Sequence, residues 1–291
     1  MVTPYANIFM ENVPNSSLIR GNRPLADNRP VGIFDSGVGG VTILQEIERQ
    51  LPFEDLLYFA DTANIPYGTK SAAEISQLAR AVSEFLISKN AKLIVVACNT
   101  ASVASLTYLR ETLAVPFVGI VPAVKPAATI SNSRRIGVMA TNTTLLSDAF
   151  DDLVRKFAPD ATVIRQTCPG LVELVEQGQV DGPRAESLLR SYIDPLLAER
   201  VDTVVLGCTH YPFLRKSIEA IVGSGVSVID PASAVARQVV RLLESGDLRA
   251  TRKRRGRVRF FTSGDDTNFA RLLHKLTGRT RVRVQKVNLA N

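Results

Sequence analysis

The segment Val95-Val96-Ala97-Cys98-Asn99-Thr100 returns later in the chain as Val204-Val205-Leu206-Gly207-Cys208-Thr209-His210, the second cysteine 110 residues after the first. A similar echo links Val31-Gly32-Ile33-Phe34-Asp35-Ser36 to Ile136-Gly137-Val138-Met139-Ala140-Thr141 at an offset of 105. Each segment is a short, β-branched apolar run ending on small or polar residues, the mark of a strand buried on both faces. Weak self-similarity at two similar offsets points to a duplicated unit. The chain should therefore contain two related halves, each with chemistry at the end of an equivalent strand. A pseudo-twofold axis between the halves would let Cys98 and Cys208 approach one ligand from opposite sides.

Outward from these segments, β-rich runs alternate with helical patterns. The runs are Val31–Phe34, Leu56–Ala60, Leu93–Ala97, Phe117–Val121, Ile136–Ala140, Val163–Thr167, Thr203–Leu206 and Val226–Ile229, with a further strand at Val258–Phe261. Ala72–Lys89 places Ile75, Leu78, Ala79, Val82 and Leu86 on one helical face. That rhythm predicts an α/β fold of two pseudo-symmetric lobes, each a parallel sheet flanked by helices, with the site in the cleft between them. The expected division is an N-terminal extension (1–30), a first lobe (31–122 plus 235–291) and a second lobe (123–234).

The composition narrows the class. With 45% hydrophobic and 22% charged residues the chain can bury a sizeable core, and 291 residues suit two lobes. No apolar run approaches the roughly 20 residues that span a bilayer, and the first 30 lack a secretory signal. We expect a cytoplasmic protein with no membrane partner. Three cysteines, an odd number, fit free thiols in a reducing compartment. The net charge of +7 is local: Arg249 to Lys286 holds thirteen Lys/Arg against Asp265 and Asp266, a net +11, leaving −4 for the remainder. No groove-reading motif accompanies it, so a solvated surface stretch is expected and nucleic acid is not the expected partner.

Both repeat cysteines follow a strand and precede residues able to start a helix. A helix N-terminus offers free N–H groups and partial positive charge, which would bring a thiol towards neutrality so that it can act as a base. Cys168, before Pro169-Gly170, reads instead as a small buried hydrophobe. Phe34-Asp35-Ser36-Gly37-Val38-Gly39-Gly40 is a strand running into a Gly-rich loop. Its amides could cradle an anion while Asp35 holds an ammonium, which together describe an amino acid; a plain tight turn is the alternative. Asp61–Gly68 is a turn-rich loop suited to gripping a small ligand or simply to connecting. His210 adjoins a candidate base, whereas His274 reads as surface or packing. Metal ligands are too scattered to predict a metal site.

Phe-Asp-Ser-Gly-Val-Gly-Gly, Pro66-Tyr67-Gly68, Ala97-Cys98-Asn99-Thr100-Ala101-Ser102 and Leu206-Gly207-Cys208-Thr209-His210-Tyr211-Pro212 resemble the motifs of the bacterial glutamate racemase family, in the family's order. The likeness runs from about Val31 to Val240. It implies that Cys98 and Cys208 are the acid/base pair, without pyridoxal or any other cofactor. Asp35, Glu176 and His210 would support them. Asp35, Ser36, Tyr67, Gly68, Asn99, Thr100, Thr141, Thr144, Thr209 and His210 would bind glutamate. Glu173 departs from the family, standing where a proline is often found. The resemblance further implies D-glutamate supply for peptidoglycan synthesis, and a homodimer among the assemblies to expect. An effector site for a peptidoglycan precursor, to which residues 1–30 contribute, is a further expectation.

Rival readings are an aspartate or hydantoin racemase, a cysteine hydrolase or thiol redox protein, and a two-lobed amino-acid-binding protein. The redox Cys-x-x-Cys is absent, and a binding protein would need no paired thiols.

Overall fold

The computed structural model describes residues 27–289, so expectations for residues 1–26 lie outside the described residues. Its strands are β1 (Val31–Asp35), β2 (Leu56–Ala60), β3 (Leu93–Val96), β4 (Phe117–Gly119), β5 (Arg135–Ala140), β6 (Thr162–Thr167), β7 (Thr203–Leu206), β8 (Ser227–Ile229), β9 (Val258–Thr262) and β10 (Val284–Lys286). All pair in parallel, in two sheets ordered β10-β9-β2-β1-β3-β4 and β6-β5-β7-β8. The run β2-β1-β3-β4 is therefore repeated as β6-β5-β7-β8. The two sequence echoes occupy matching places, β1 with β5 and β3 with β7. After the second sheet the chain returns to the first, where β9 pairs with β2.

Parallel strands need helices on both faces, and the burial pattern shows that cover. In the first sheet Ile33 and Tyr58 turn into one core, while Phe34, Leu57 and Phe59 turn into another on the opposite face. Helix Ala72–Ser88 seals the second of these with Ile75, Ala79, Val82 and Leu86. It starts at a capping box: Ser71 accepts from the Glu74 amide and Glu74 reaches back to Ser71. β4 stops at Gly119, short of the expected Val121, because the Ile120 amide donates to the Ser102 hydroxyl at 3.0 Å instead of to a strand. β10 has no apolar run to announce it; it is a short, half-exposed edge.

A buried ion pair stitches the base of the first sheet. Lys92 Nζ donates to Glu54 Oε2 at 2.7 Å, to the Asp27 carbonyl at 2.7 Å and to the Leu248 carbonyl at 2.6 Å. Glu54 Oε1 accepts from the Ala250 amide. The basic stretch near the C-terminus is partly structural: Arg252 and Arg254 pair with Asp55, whose carboxyl sits at about 2 because these hydrogen bonds outweigh its burial. His274 is exposed, its Nδ1 3.0 Å from the Arg279 carbonyl. No helix among the described residues is long and apolar enough to cross a membrane.

Candidate active site

The C-terminal ends of β1, β3, β5 and β7 converge on a cavity of ≈ 550 Å³. Open parallel sheets offer ligands this position because strand ends and following loops leave a crevice there. Its wall takes Ser36, Tyr67, Gly68, Cys98, Asn99 and Thr100 from the first half, and Thr141, Cys208, Thr209 and His210 from the second. Both repeat cysteines thus open on one space.

Their settings differ. Cys98 caps helix Asn99–Thr112, accepting the Ala101 amide at 3.4 Å, with Ser36 Oγ 4.0 Å away. The expected shift of this thiol towards neutrality is not found. Burial pushes it up, reinforced by the Asp35 carboxylate, and outweighs the amide and the hydroxyl. Cys208 is not at an α-helix N-terminus: a turn and the 3-10 segment Tyr211–Leu214 intervene before helix Arg215–Val222. Its partner is His210, whose Nδ1 lies 3.8 Å from Cys208 Sγ. His210 Nε2 is 2.7 Å from Glu176 Oε1. Burial alone would depress the imidazole, but the bonds to Cys208 and Glu176 hold it well above its usual value.

Asp35 is not in the cavity wall. It is fully buried, accepting the Gly37 amide at 2.7 Å and the Thr209 hydroxyl at 2.9 Å. Desolvation raises it to about 6, against the lowering influence of His210, Gly37 and Thr209. This placement does not put it on a ligand ammonium. Nor does the Gly-rich loop present all its amides to a ligand, since Val38 N–H is taken by Glu176 Oε1 at 2.7 Å. The loop's glycines serve close approach of the other half: a Cβ on Gly37 would lie 2.0 Å from Glu176 Oε1, and one on Gly39 2.4 Å from His210 Nδ1.

Glu176 and Thr144 also stand behind the wall. Thr144 belongs to a hydroxyl cluster in which Thr100 and Thr141 are 2.9 Å apart across the halves. Asn99, 2% exposed, faces the cavity, and among the described residues neither of its amide atoms has a partner, which leaves a donor and an acceptor for a ligand. Tyr67 is fixed by its hydroxyl, which donates to Asp61 Oδ2 at 2.5 Å; Ser263 donates to Asp61 Oδ1 at 2.6 Å.

The sequence reading named neither the Asp61–Ser263 support nor Lys70, Asn142 and Thr143 of the wall. Only the turn-rich loop 61–68 hinted at the first. Cys168, read as a packing residue, is 3% exposed yet borders the cavity, and burial pushes its thiol up. Among the described residues no three His, Cys, Asp or Glu are grouped to hold a metal ion.

Residues 31–239 match the family model described as Asp/Glu/Hydantoin racemase. The glutamate racemase of Roseiflexus sp. (strain RS-1) is 48% identical over 250 residues, covering 85% of this chain and 92% of that protein. Glutamate racemase isoform RacE1 from Bacillus anthracis superposes with a TM-score of 0.82 at 32% identity, covering 90% of this chain and 98% of that one. The Escherichia coli glutamate racemase, solved with L-glutamate and the activator UDP-MurNAc-ala, gives 0.80 at 31% identity, covering 90% and 100%. A duplicated parallel fold, paired cysteines on one cavity and these likenesses agree, and the chain belongs to the Asp/Glu/Hydantoin racemase family.

Proposed function

We propose that the chain interconverts L- and D-glutamate, supplying the D-isomer for peptidoglycan synthesis, with Cys98 and Cys208 as opposed acid/base thiols. The observation that carries this reading is the pair of cysteines at equivalent strand ends, facing one cavity from the two halves. One sulfur, as thiolate, takes the α-proton. The electron pair left on the α-carbon delocalises into the adjacent carboxylate, and the other sulfur, as thiol, delivers a proton to the opposite face. His210, beside Cys208 Sγ, is placed to donate to that sulfur. Asn99, Ser36 and Thr209 offer polar groups for the substrate's carboxylates and ammonium.

Isotope labelling tests the mechanism. In heavy water L-glutamate should yield D-glutamate carrying α-deuterium, while L-glutamate recovered at low conversion stays almost unlabelled, because each thiol reaches one face only. Cys98→Ala and Cys208→Ala should each lose racemisation by several orders of magnitude, and Cys168→Ala should keep it. Heavily deuterated L-glutamate at low conversion would exclude two opposed bases. Running the assay with and without UDP-MurNAc-ala, on the full chain and after deleting residues 1–29, tests the proposal of an activator site. Equal rates in all four arms would remove it.

A further inference from the structure

We propose that the base of the first half, at the end of the strands opposite the cavity, is a docking surface for an anionic lipid bilayer. The proposal does not depend on the racemase reading. In parallel sheets every strand starts at the same end. Arg257 and Arg259 open β9, and Arg281 and Arg283 lead into β10, where Val284 is paired with Phe260. That register sets Arg283 beside Arg259. Val258, Val282 and Val284 turn into the core, so the alternate arginines face away from it, and all four are exposed. Lys253 and Arg255, in the preceding loop, are exposed as well.

Among the described residues none of these six side chains has an acidic partner, whereas Asp55 is committed to Arg252 and Arg254, Glu54 to Lys92 and Glu48 to Arg279. Like charges on neighbouring strands repel. Charge alone would guard a sheet edge with either sign, and mixed signs would add cross-strand pairs. A face of one sign is matched by an anionic counter-surface. The sequence before Asp27 offers no compensation, having Glu11 against Arg20 and Arg23.

A second observation selects the bilayer. Phe53 is 45% exposed, on a turn fastened to the basic loop by the Gly256 amide, which donates to the Pro52 carbonyl at 2.9 Å. Gly256 lies so close that a Cβ there would be 1.7 Å from the Glu54 carbonyl oxygen. One aromatic ring projecting from a cationic fringe can enter the headgroup boundary while the arginines meet lipid phosphates. Binding of single-stranded nucleic acid would instead use a row of stacking rings along a groove. A second copy would bring the same positive face. The contact is peripheral and leaves the cavity open.

Co-sedimentation of the full chain with vesicles of phosphatidylcholine, alone or mixed with phosphatidylglycerol, tests the surface. Binding should require the anionic lipid and fall as salt is raised. The triple change Arg255→Gln, Arg259→Gln, Arg283→Gln should lower partitioning roughly a hundredfold. Phe53→Ser should lower it by roughly tenfold. Both variants should retain wild-type turnover, which reports a folded protein; if the triple variant does not fold, Phe53→Ser decides. No binding to anionic vesicles at low salt, binding unmoved by the substitutions, or tighter binding to single-stranded DNA than to the vesicles would overturn the proposal.

Discussion

Asp35 has no exposed surface, and burial lifts its carboxyl from 3.8 to about 6. Between those values the folded state holds a proton that the unfolded state has released, so the stability contributed by this group falls as pH rises through about 4 to 6. Asp35→Asn cannot ionise. It should match the wild type below about pH 4 and gain on it by up to roughly 3 kcal/mol at pH 7, while turnover falls. Melting temperatures of both proteins across that window check this; a difference independent of pH would mean that Asp35 does not titrate there. At this scale Cys98, Cys208 and the adjoining His210 were legible from their strand ends, whereas Asn99 and Thr209 entered through the family resemblance. The bond from His210 to Glu176, 34 residues apart, and that from Ser263 to Asp61, 202 apart, were not legible, because local spacing carries no information about partners the fold brings together.

The Gly-rich turn after β1 shows an element recognised from composition whose amides are partly committed within the protein. Its composition predicts close backbone approach, which is correct, but the groups that approach are Glu176, His210 and Thr209 of the protein itself. Gly39→Ala should therefore displace His210 and Thr209 and lower turnover by about a hundredfold, the scale expected for misplacing a reacting group by about 1 Å. Gly225→Ala, where nothing lies within 4 Å of the new methyl, is the control. Equal turnover in both variants would show that the loop tolerates a side chain. The turn after β7 was misread. Thr209-His210-Tyr211-Pro212 resembles a helix start, yet the chain makes a 3-10 turn that keeps His210 beside Cys208.

The duplication was the most legible feature of the whole molecule, since two strand pairs echoed at similar offsets, 105 and 110, reflect topology rather than local propensity, and the strand order repeats accordingly. The Lys92–Glu54 hub was invisible, because a lysine before an apolar run looks like a surface residue. Lys92→Met would leave the Glu54 carboxylate buried and two carbonyls without donors, destabilising the protein by about 3–5 kcal/mol in denaturant unfolding. Lys92→Met combined with Glu54→Leu should recover part of that loss; no recovery would mean that the charge is not the cause. Glu176 Oε1 also works at this scale, receiving Val38 N–H from one half and His210 from the other. Were the halves to part, Glu176 would lose its amide partner, and Asp35 would lose the Thr209 hydroxyl that holds its carboxyl down. Proton affinity and closure are thus interlocked. By reciprocity, a ligand that holds the halves together must retune the acid/base pair by the same free energy with which protonation alters its grip, so the pH profile and the ease of product escape are two readings of one equilibrium.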